Sequence, residues 1–533
     1  MKQNKIKNLL LTIFALLSGI PAFAQIVIGT DTTPEGVLDV NPSQKMGIVL
    51  PRVDKAENVK APDGEEAAIG TLVFDLSKNC ARLKNSEGWT ACLVDSSGRD
   101  SITYGYLGLG SSVKAIKAAV SNSWAILLGK DDHAVWFSGT NNYGQSGMGR
   151  GGGGVRTYTL VLTQPMADIA AGEYHAIAVD SLGRVWTWGY NNGFRTGQTS
   201  GTGTTGTAIT SGNMFLPDTV NFFGPAAGAG KLGKLVAASN TSSFVVTDDG
   251  KLYSASTNAT EAGKAGATAA TWGVVNIPNS EKVVQISASL NQTVGVVTDA
   301  GNAYVWGEGS NYQLGQSANG DHNAAVSLNT TNIGSNKIRK IAMGWRCGAA
   351  ISQDSKRLYA WGAQDAVANA AALTVPTDIT SKIPDFTASR AGDYIIDVGV
   401  ARGNSGNITV IASVNGVVGI YTAGENSSGQ LGIGSTTDQI ASGNARYYPN
   451  RANSNLRLVP TLRIPKGTQF TGQPNGEYVA SGGYNTILIT GDNSVNPNSS
   501  WIALGAGRAG SSNSNRVLGA ITSTAVYYTQ LTK

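Results

Sequence analysis

The stretch that decides the fold is residues 169–192, Ile-Ala-Ala-Gly-Glu-Tyr-His-Ala-Ile-Ala-Val-Asp-Ser-Leu-Gly-Arg-Val-Trp-Thr-Trp-Gly-Tyr-Asn-Asn. Within it, Ala176 to Val179 is an apolar run of strand length, and Asp180 to Gly183 has the composition of a tight turn. Residues 184–188 then alternate polar and apolar side chains, as a half-buried strand does. Two strands joined by a glycine-containing turn predict a β-hairpin.

Imperfect copies of this unit recur along the chain. They lie at 115–147, 235–258, 283–315, 338–364, 395–432 and 478–510, which makes seven copies in all. A recurring unit of this size decides the fold before any single residue is interpreted. Each copy is rich in strands and cannot bury both of its faces alone, whereas radial stacking of such units leaves only short, protected edges. The repeat therefore predicts an all-β chain folded as a β-propeller.

The copies also share particular residues. An Ala-Gly-x-x-His step opens the copy at 169–192, a Trp-Gly pair closes the second strand at 188–189, 306–307 and 361–362, and a Gln-Leu-Gly follows in the copies at 283–315 and 395–432. This pattern resembles the RCC1 (regulator of chromosome condensation) repeat, and the resemblance covers about residues 110–533. It implies a seven-bladed RCC1-like β-propeller, in which the repeat histidine, His175, makes a structural hydrogen bond. The third and seventh copies match the pattern least well.

Residues 1–24 have the features of a secretory signal peptide. Three lysines precede an apolar run from Leu9 to Ile20, and Ala22-Phe-Ala24 supplies small residues at a cleavage position. The apolar run is too short to span a bilayer. We therefore expect an exported chain that is secreted, periplasmic or surface-associated, with no transmembrane segment.

Residues 25–100 lack the repeat. Their Leu50-Pro-Arg52, followed by Gly70-Thr-Leu-Val-Phe74, resembles an N-terminal stretch common in secreted Bacteroidota proteins. We expect a small N-terminal β module and linker at 25–100, and the RCC1-like β-propeller at 101–533.

The three cysteines have different interpretations. Cys80 and Cys92 flank a strand–turn–strand segment. In an oxidising compartment we favour a disulfide across this hairpin, with two free thiols as the alternative. Zinc is disfavoured, because two cysteines without a nearby histidine make only half a site. Cys347 lies in an apolar strand and is interpreted as a buried, inert thiol.

The charge balance argues against a nucleic-acid partner. The chain has 40 Lys and Arg against 35 Asp and Glu, a formal charge of +5, and removal of the three lysines at 1–24 leaves +2. Nucleic-acid binding requires clustered basic residues, which this near-neutral chain lacks.

No catalytic, cofactor-binding or metal-ligating constellation is recognisable, so we expect neither an enzyme nor a cofactor. The three histidines are interpreted separately, His133 in a hairpin turn, His175 in the repeat and His322 in a loop. Residues 228–235 nearly match a phosphate-binding loop. Leu235, however, replaces the Ser or Thr that holds magnesium, and the strand-to-helix context is missing.

Two insertions interrupt the repeats, at 199–233 and 435–477. Insertions in repeat proteins tend to emerge on one face, often the binding face. The alternative for each is an elaborated loop that packs back on its own blade. Tyr and Arg dominate interface hot spots. The candidate partner-binding residues are Arg446, Tyr447, Tyr448, Arg451, Arg457 and Arg463.

These observations favour a secreted or cell-surface binding protein that holds a protein or glycan on a rigid propeller face. One alternative is a structural component of a surface assembly, docked through the N-terminal module. Another is an enzyme with an unrecognised site on the propeller axis, which requires carboxylates converging from several blades. The nucleotide-exchange activity of the best-known RCC1 relatives is not carried over, because an exported chain does not meet a nuclear GTPase.

Overall fold

A computed structural model describes the chain between residues 26 and 531, and it forms two compact units, Met1–Ile102 and Thr103–Lys533. The described residues are 26–28, 38–40, 51–61, 64–77, 80–85, 88–89, 114–198, 212–225, 230–264, 271–363, 371–403, 406–433, 456–459, 464, 468–470, 474–492, 501–508, 518 and 525–531.

The first unit contains two small sheets. Ile26–Ile28 pairs in parallel with Leu38–Val40. The second sheet has four strands in sequence order, Arg52–Val53, Leu72–Asp75, Cys80–Asn85 and Gly88–Trp89.

The last two strands form the hairpin that the sequence predicted between the first two cysteines, with Asn85 opposite Gly88. Cys92 and the side chain of Cys80 lie outside the described residues, so the disulfide stays a prediction. At the end of the strand Leu72–Asp75, the side chain of Asp75 is fully buried and accepts a hydrogen bond from Arg82 at 2.9 Å.

The second unit contains seven four-stranded antiparallel sheets, each made of consecutive strands. They are the seven blades of the predicted propeller, and we number them 1 to 7 along the chain. Their strands are, in blade 1, Ala115–Val120, Trp124–Gly129, Val135–Thr140 and Gly154–Leu162; in blade 2, Met166–Ala171, His175–Asp180, Val185–Tyr190 and Asn213–Thr219; in blade 3, Gly233–Ala238, Ser243–Thr247, Leu252–Ala255 and Trp272–Val275; in blade 4, Val283–Ala288, Thr293–Thr298, Ala303–Gly307 and His322–Ser327; in blade 5, Ile338–Met343, Cys347–Ser352, Leu358–Gly362 and Leu373–Asp378; in blade 6, Tyr394–Val400, Asn407–Val414, Val417–Gly424 and Arg457–Leu458; and in blade 7, Val479–Ser481, Asn485–Ile489, Ala503–Gly507 and Ala525–Gln530.

Helices within the described ranges are single turns. There is one α-helical turn, Ala259–Ala262, capped by the side chain of Asn258. The 3-10 turns are Ala56–Asn58, Asn192–Phe194, Pro278–Ser280, Thr380–Lys382 and Pro474–Gly476.

Local sequence explains the hairpins within the blades. In blade 6, Asn415 and Gly416 both have positive φ, 53° and 75°. Two such residues between antiparallel strands form the tight turn whose twist matches that of the strands. Val414 therefore pairs directly with Val417, and both flanking strands continue the hairpin for eight residues each.

Tryptophan side chains tie neighbouring blades together. The indole Nε1 of Trp361 in blade 5 donates to the carbonyl oxygen of Gln313 in blade 4, at 2.7 Å. Trp306 in blade 4 donates in the same way to Glu261 in blade 3, at 2.8 Å. Both indoles are completely buried, so the Trp-Gly pair of the repeat builds the core between the blades.

Blade 3 lacks that tryptophan and replaces it from another strand. Where blades 2 and 4 have Trp188 and Trp306, blade 3 has Ser254, followed by Ala255 in place of the glycine. Trp272 lies directly opposite Ala255 on the outer strand, and its Nε1 donates to Gly197 of blade 2 at 3.0 Å. The weak third repeat therefore keeps the bond between blades with a different residue.

Candidate functional site: the propeller axis and its upper face

The strand order of the blades gives the propeller two distinct faces. On the upper face, loops join the first strand to the second and the third to the outer strand of each blade. On the lower face, loops join the second strand to the third, and one blade to the next. The first strand of each blade lines the axis, because residues of all seven first strands surround one small central cavity.

Arg402 closes the upper end of the axis. It lies in the loop after the first strand of blade 6. Its guanidinium donates to four main-chain carbonyl oxygens, one from each of the first four blades, at Val120, Ala171, Ala238 and Ala288.

Main-chain bonds at the same point reach the remaining blades. The N–H of Arg402 donates to Ser481 of blade 7 at 3.1 Å, and Trp345 of blade 5 donates to the carbonyl of Ala401 at 3.0 Å. Burial lowers the pKa of Arg402 to about 10, which still leaves the guanidinium charged at neutral pH. All seven blades therefore meet at residues 401–402.

The lower end of the axis is closed by the last residues of the second insertion. The Asn475 side chain donates to the carbonyl oxygen of Ile286 at 2.6 Å and accepts from the Ile286 N–H at 3.1 Å. Glu477 pairs with Lys117 of blade 1 at 2.9 Å. The end of this insertion thus binds blades on opposite sides of the ring.

Two buried ion pairs lie beneath this closure. Lys117 contacts Asp168 of blade 2 at 2.6 Å, and Lys340 of blade 5 contacts Asp397 of blade 6. Burial opposes the charge on Lys117, but the carboxylates of Asp168 and Glu477 outweigh it and raise its pKa.

Titratable groups do converge on the axis, as the enzyme alternative required. Each carboxylate is, however, engaged by a lysine, and Asp168 and Asp397 also accept main-chain N–H bonds. The central cavity has room for a few water molecules only, at about 60 Å³. This arrangement holds blades together and leaves no space for a substrate.

On the upper face, three tyrosines from blades 1 and 2 form an aromatic cluster. Tyr143 lies 5.2 Å from Tyr174 and 4.8 Å from Tyr190, measured between ring centroids. The Arg195 guanidinium lies over the Tyr190 ring at 4.8 Å. Tyr143 is 37 % exposed, so the tyrosine cluster presents part of an aromatic side chain to solvent.

A polar cleft adjoins the tyrosine cluster. It lies between blades 2 and 3 and has a volume of about 250 Å³. Neutral amide, hydroxyl and glycine groups form most of its lining, and Arg195 is the one charged residue among them. The lining residues are Asn192, Gly193, Arg195, Thr241, Thr257 and Asn258.

Most of the predicted partner-binding residues cannot be placed. Arg446, Tyr447, Tyr448, Arg451 and Arg463 lie outside the described residues, as does the side chain of Arg457. The backbone of Arg457 pairs with Thr422 in the outer strand of blade 6. Their role as partner-binding residues therefore stays a prediction.

The described parts of the two insertions include strands of the blades. Asn213–Thr219 lies within the first insertion and Arg457–Leu458 within the second, and each is the outer strand of its blade. The alternative, packing on the parent blade, describes these strands.

The histidines are structural or isolated. His175 is completely buried, and its Nε2 lies 2.9 Å from the Ser243 hydroxyl of blade 3, which is the hydrogen bond that the repeat implied. His133 contacts the Met166 carbonyl from a turn. His322 is not in a loop, since it begins the outer strand of blade 4 opposite Gly307. Its pairing with the third strand extends the outer strand as far as His322.

Other sequence interpretations can be placed as well. Gly233, in the near-match to a phosphate-binding loop, begins a strand and not a helix. Cys347 is buried in blade 5, 1 % exposed. Within the described ranges, no group of three or more His, Cys, Asp or Glu side chains is placed to hold a metal ion. In the same ranges, no helix is long and apolar enough to cross a membrane.

Sequence reasoning missed Arg402, the axial ion pairs and the tyrosine cluster. Arg402 and the lysines are single residues whose partners lie on other blades, so no local pattern reveals them. Arg195 did leave a signal, because it stands where other copies of the repeat have glutamine.

Comparisons with known proteins agree with this architecture. Residues 166–194 match the family model of the regulator of chromosome condensation (RCC1) repeat. The ultraviolet-B receptor UVR8 of Arabidopsis thaliana is 27 % identical over 282 residues, which are 51 % of this chain and 56 % of that protein. The chain thus matches little more than half the length of this curated relative.

Solved structures with the same fold are more distant in sequence. Prp20p of Saccharomyces cerevisiae has a TM-score of 0.54 at 17 % identity, over 75 % of this chain and 86 % of that one. Human WBSCR16 has a TM-score of 0.52 at 19 % identity, over 70 % of this chain and 86 % of that one. At these identities the likeness establishes the fold alone.

Proposed function

We propose that this chain, an RCC1-like repeat protein with a β-propeller fold, is a binding protein that holds a protein partner on its upper face. A structure of the similar yeast Prp20p was described together with its binding to Gsp1p and histones. The RCC1-like propeller therefore suggests a protein-binding role, and the identity of the partner is specific to each protein.

The observation that carries the proposal is the tyrosine cluster with Arg195. Tyrosine and arginine are the residue types that most often dominate binding energy at protein interfaces. Here three tyrosines and one arginine from two blades are held in fixed mutual positions on the upper face. A rigid aromatic surface loses little conformational entropy when a partner binds.

Closure of the axis supports recognition at the surface and not catalysis in the centre. The charged groups on the axis form hydrogen bonds and ion pairs between blades. Arg402 and Lys117 are examples. We therefore propose a non-enzymatic role that needs no cofactor.

We further propose that the chain is exported by residues 1–24 and acts outside the cytoplasm, at the cell surface or beyond. The support is the sequence of that segment, with its lysines, apolar run and small residues before position 25. A glycan is the competing class of partner.

The experiment is affinity capture from the native cell envelope with matched variants. Tyr143→Ala removes the most exposed tyrosine of the cluster. Leu182→Ala removes a side chain that is 55 % exposed in a lower-face turn. A protein captured by the wild type and by Leu182→Ala, but lost with Tyr143→Ala, supports the proposal. Equal capture by both variants contradicts the choice of face, and capture abolished by glycosidase treatment identifies a glycan.

A structural role is the second candidate, favoured by apolar exposure in the first unit. Ile69 is 71 % exposed, Leu72 38 % and Leu76 49 %. Exposed apolar side chains grouped in one small module are typical of an interaction surface. A strictly monomeric mass at micromolar concentration, with no envelope protein co-purifying, would argue against docking through this module.

A further inference from the structure

Arg195 occupies a loop position at which three other blades of the same chain have a glutamine. The corresponding loops of blades 1, 4 and 6 carry Gln145, Gln313 and Gln430, each completely or almost completely buried. In all three, the glutamine Oε1 accepts a hydrogen bond from the main-chain N–H two residues earlier, at 2.6 to 2.9 Å. Arg195 stands six residues after Gly189, as Gln313 stands six after Gly307.

The substitution reverses the chemistry of this position. A guanidinium has no acceptor atom, so it cannot make the bond that the glutamines make. Instead, Nε of Arg195 donates to the carbonyl of Asn192 at 2.8 Å, and one Nη donates to the carbonyl of Asn240 at 2.7 Å. Blade 2 closes its loop in this way while placing a permanent positive charge where three other blades are neutral. The fold alone does not require that charge.

The charge of Arg195 is held in place but is not neutralised by an ion pair. Tyr190 and Tyr174 lie against the guanidinium at 4.8 and 5.9 Å. Among the described residues, no carboxylate pairs with it, and its second Nη has no hydrogen-bond partner. The nearby carboxylate of Glu261 is buried and accepts hydrogen bonds from Thr241 and Ser242.

Arg195 also lines the polar cleft between blades 2 and 3. The other lining groups are neutral, and the carboxylate of Glu261 that accepts from Thr241 is itself buried, so Arg195 is the charged group that the cleft offers to an entering anion. An arginine that already has its orientation fixed loses little entropy when it binds a carboxylate, and this pairing is among the strongest hydrogen-bonded contacts.

We propose that this cleft binds the carboxylate of an acidic side chain in a peptide segment of the partner. The inference rests on the proposed function and adds the chemistry of the ligand. Arg195 supplies the charge, and the tyrosine cluster beside it supplies the aromatic contact area for the neighbouring residues of the peptide.

The arrangement of the aromatic rings favours a peptide over an acidic polysaccharide. Sugar rings stack flat on an open aromatic face. Tyr174 and Tyr190 instead lie edge to face with each other, 6.2 Å apart, and both contact Arg195. What the cluster offers to solvent is the partly exposed side chain of Tyr143, which suits a side-chain contact.

The test measures binding of oligoglutamate to the full chain by calorimetry or fluorescence anisotropy at low ionic strength, with oligoglutamine as the neutral probe. We expect oligoglutamate to bind and oligoglutamine not to bind. Arg195→Gln, which restores the residue type of the other loops, should weaken oligoglutamate binding about tenfold or more, whereas Arg195→Lys should retain part of it.

Two further variants keep the test decisive if Arg195→Gln disturbs its loop. Thr257→Glu places a carboxylate in the cleft next to an unchanged Arg195 and should abolish oligoglutamate binding, and Thr257→Gln should not. The matched control is Arg508→Gln, an exposed upper-face arginine that lies over Tyr484 in blade 7. It should change the affinity less than about twofold.

Several results would overturn the inference. Oligoglutamate binding equally well to Arg195→Gln and to the wild type excludes this cleft. If Arg508→Gln loses as much affinity for oligoglutamate as Arg195→Gln, the binding depends on the overall positive charge of the upper face and not on this cleft. Preferential binding of oligogalacturonate assigns the cleft to an acidic polysaccharide. If Tyr143→Ala loses the captured partner while Arg195→Gln and Thr257→Glu keep it, the proposed function stands and the acidic-peptide assignment fails.

Discussion

The indole Nε1 of Trp188 in blade 2 donates to the carbonyl oxygen of Gln145 in blade 1, 2.7 Å away. The two residues are 43 positions apart, and the indole is completely buried. A side chain at the end of one repeat thus satisfies the backbone of the previous repeat. The stability of each blade therefore depends on its neighbour.

Trp188→Phe tests this dependence. The substitution leaves the Gln145 carbonyl buried without a donor, which we expect to lower the free energy of unfolding by about 2 kcal/mol. The measurement is chemical denaturation followed by intrinsic fluorescence. Trp186→Phe is the matched control, because that indole lies two residues away in the same strand, is partly exposed and bonds to Asp180 within its own blade. An equal loss in both variants would contradict the role of the contact between blades.

Arg402→Met tests the closure of the axis. Four main-chain carbonyls lose their shared donor, and a methionine occupies a similar volume without replacing it. We expect a loss of about 3 kcal/mol or more in the free energy of unfolding. Arg508→Met, on the same face but exposed, should leave the denaturation midpoint unchanged. A midpoint for Arg402→Met equal to that of the wild type would show that the contacts with the four blades contribute nothing.

Lys117→Met tests the buried ion pair. Removing the ammonium group leaves Asp168 and Glu477 as carboxylates without their cation in a site shielded from water. Breaking such a pair by truncating one partner costs about 3 to 5 kcal/mol. Lys251→Met removes a lysine that is paired with Asp249 at the surface, with 63 % of its side chain exposed, and should have no measurable effect. Similar melting curves for the two variants would contradict the argument.

His175 predicts a pH dependence of stability. Burial, with smaller effects from the positive charges of Arg195 and Arg402, lowers its pKa from 6.5 to about 3. The folded state therefore keeps His175 neutral, while the unfolded chain takes up a proton below pH 6.5, so stability is lost as the pH falls through this window.

The measurement compares the wild type with His175→Gln, whose amide does not titrate. The stabilisation of the wild type relative to the variant should shrink by about 1.4 kcal/mol per pH unit between pH 6 and pH 4. Parallel stability curves for the two proteins over this range would show that His175 does not remain neutral in the folded state.

The repeat was sufficient to predict the fold, because its signals are local. A run such as Ala176 to Val179, followed by Asp180 to Gly183, specifies a hairpin wherever it occurs, and the structure has a strand at His175–Asp180 and another at Val185–Tyr190. Seven copies then predicted seven blades.

The candidate site was not predictable in the same way. Arg402 closes the axis by bonding to carbonyl oxygens that are 114 to 282 positions away in the chain. Contacts over such distances produce no periodic pattern in the sequence. The strand at Asn213–Thr219 was hidden because Gly- and Thr-rich segments around it obscured its pattern. Trp272 was also overlooked, since it replaces a missing tryptophan from the opposite strand.

The hydrogen bonds between Asn475 and Ile286 limit how repeats can be added to or removed from this molecule. In linear repeat proteins each unit contacts only its neighbours, so units can be gained or lost one at a time. Here the segment that precedes blade 7 satisfies the backbone of blade 4, three blades away. Deleting a single repeat would leave that pair unmatched and the ring open. The number of blades is therefore fixed by a contact that no individual repeat contains.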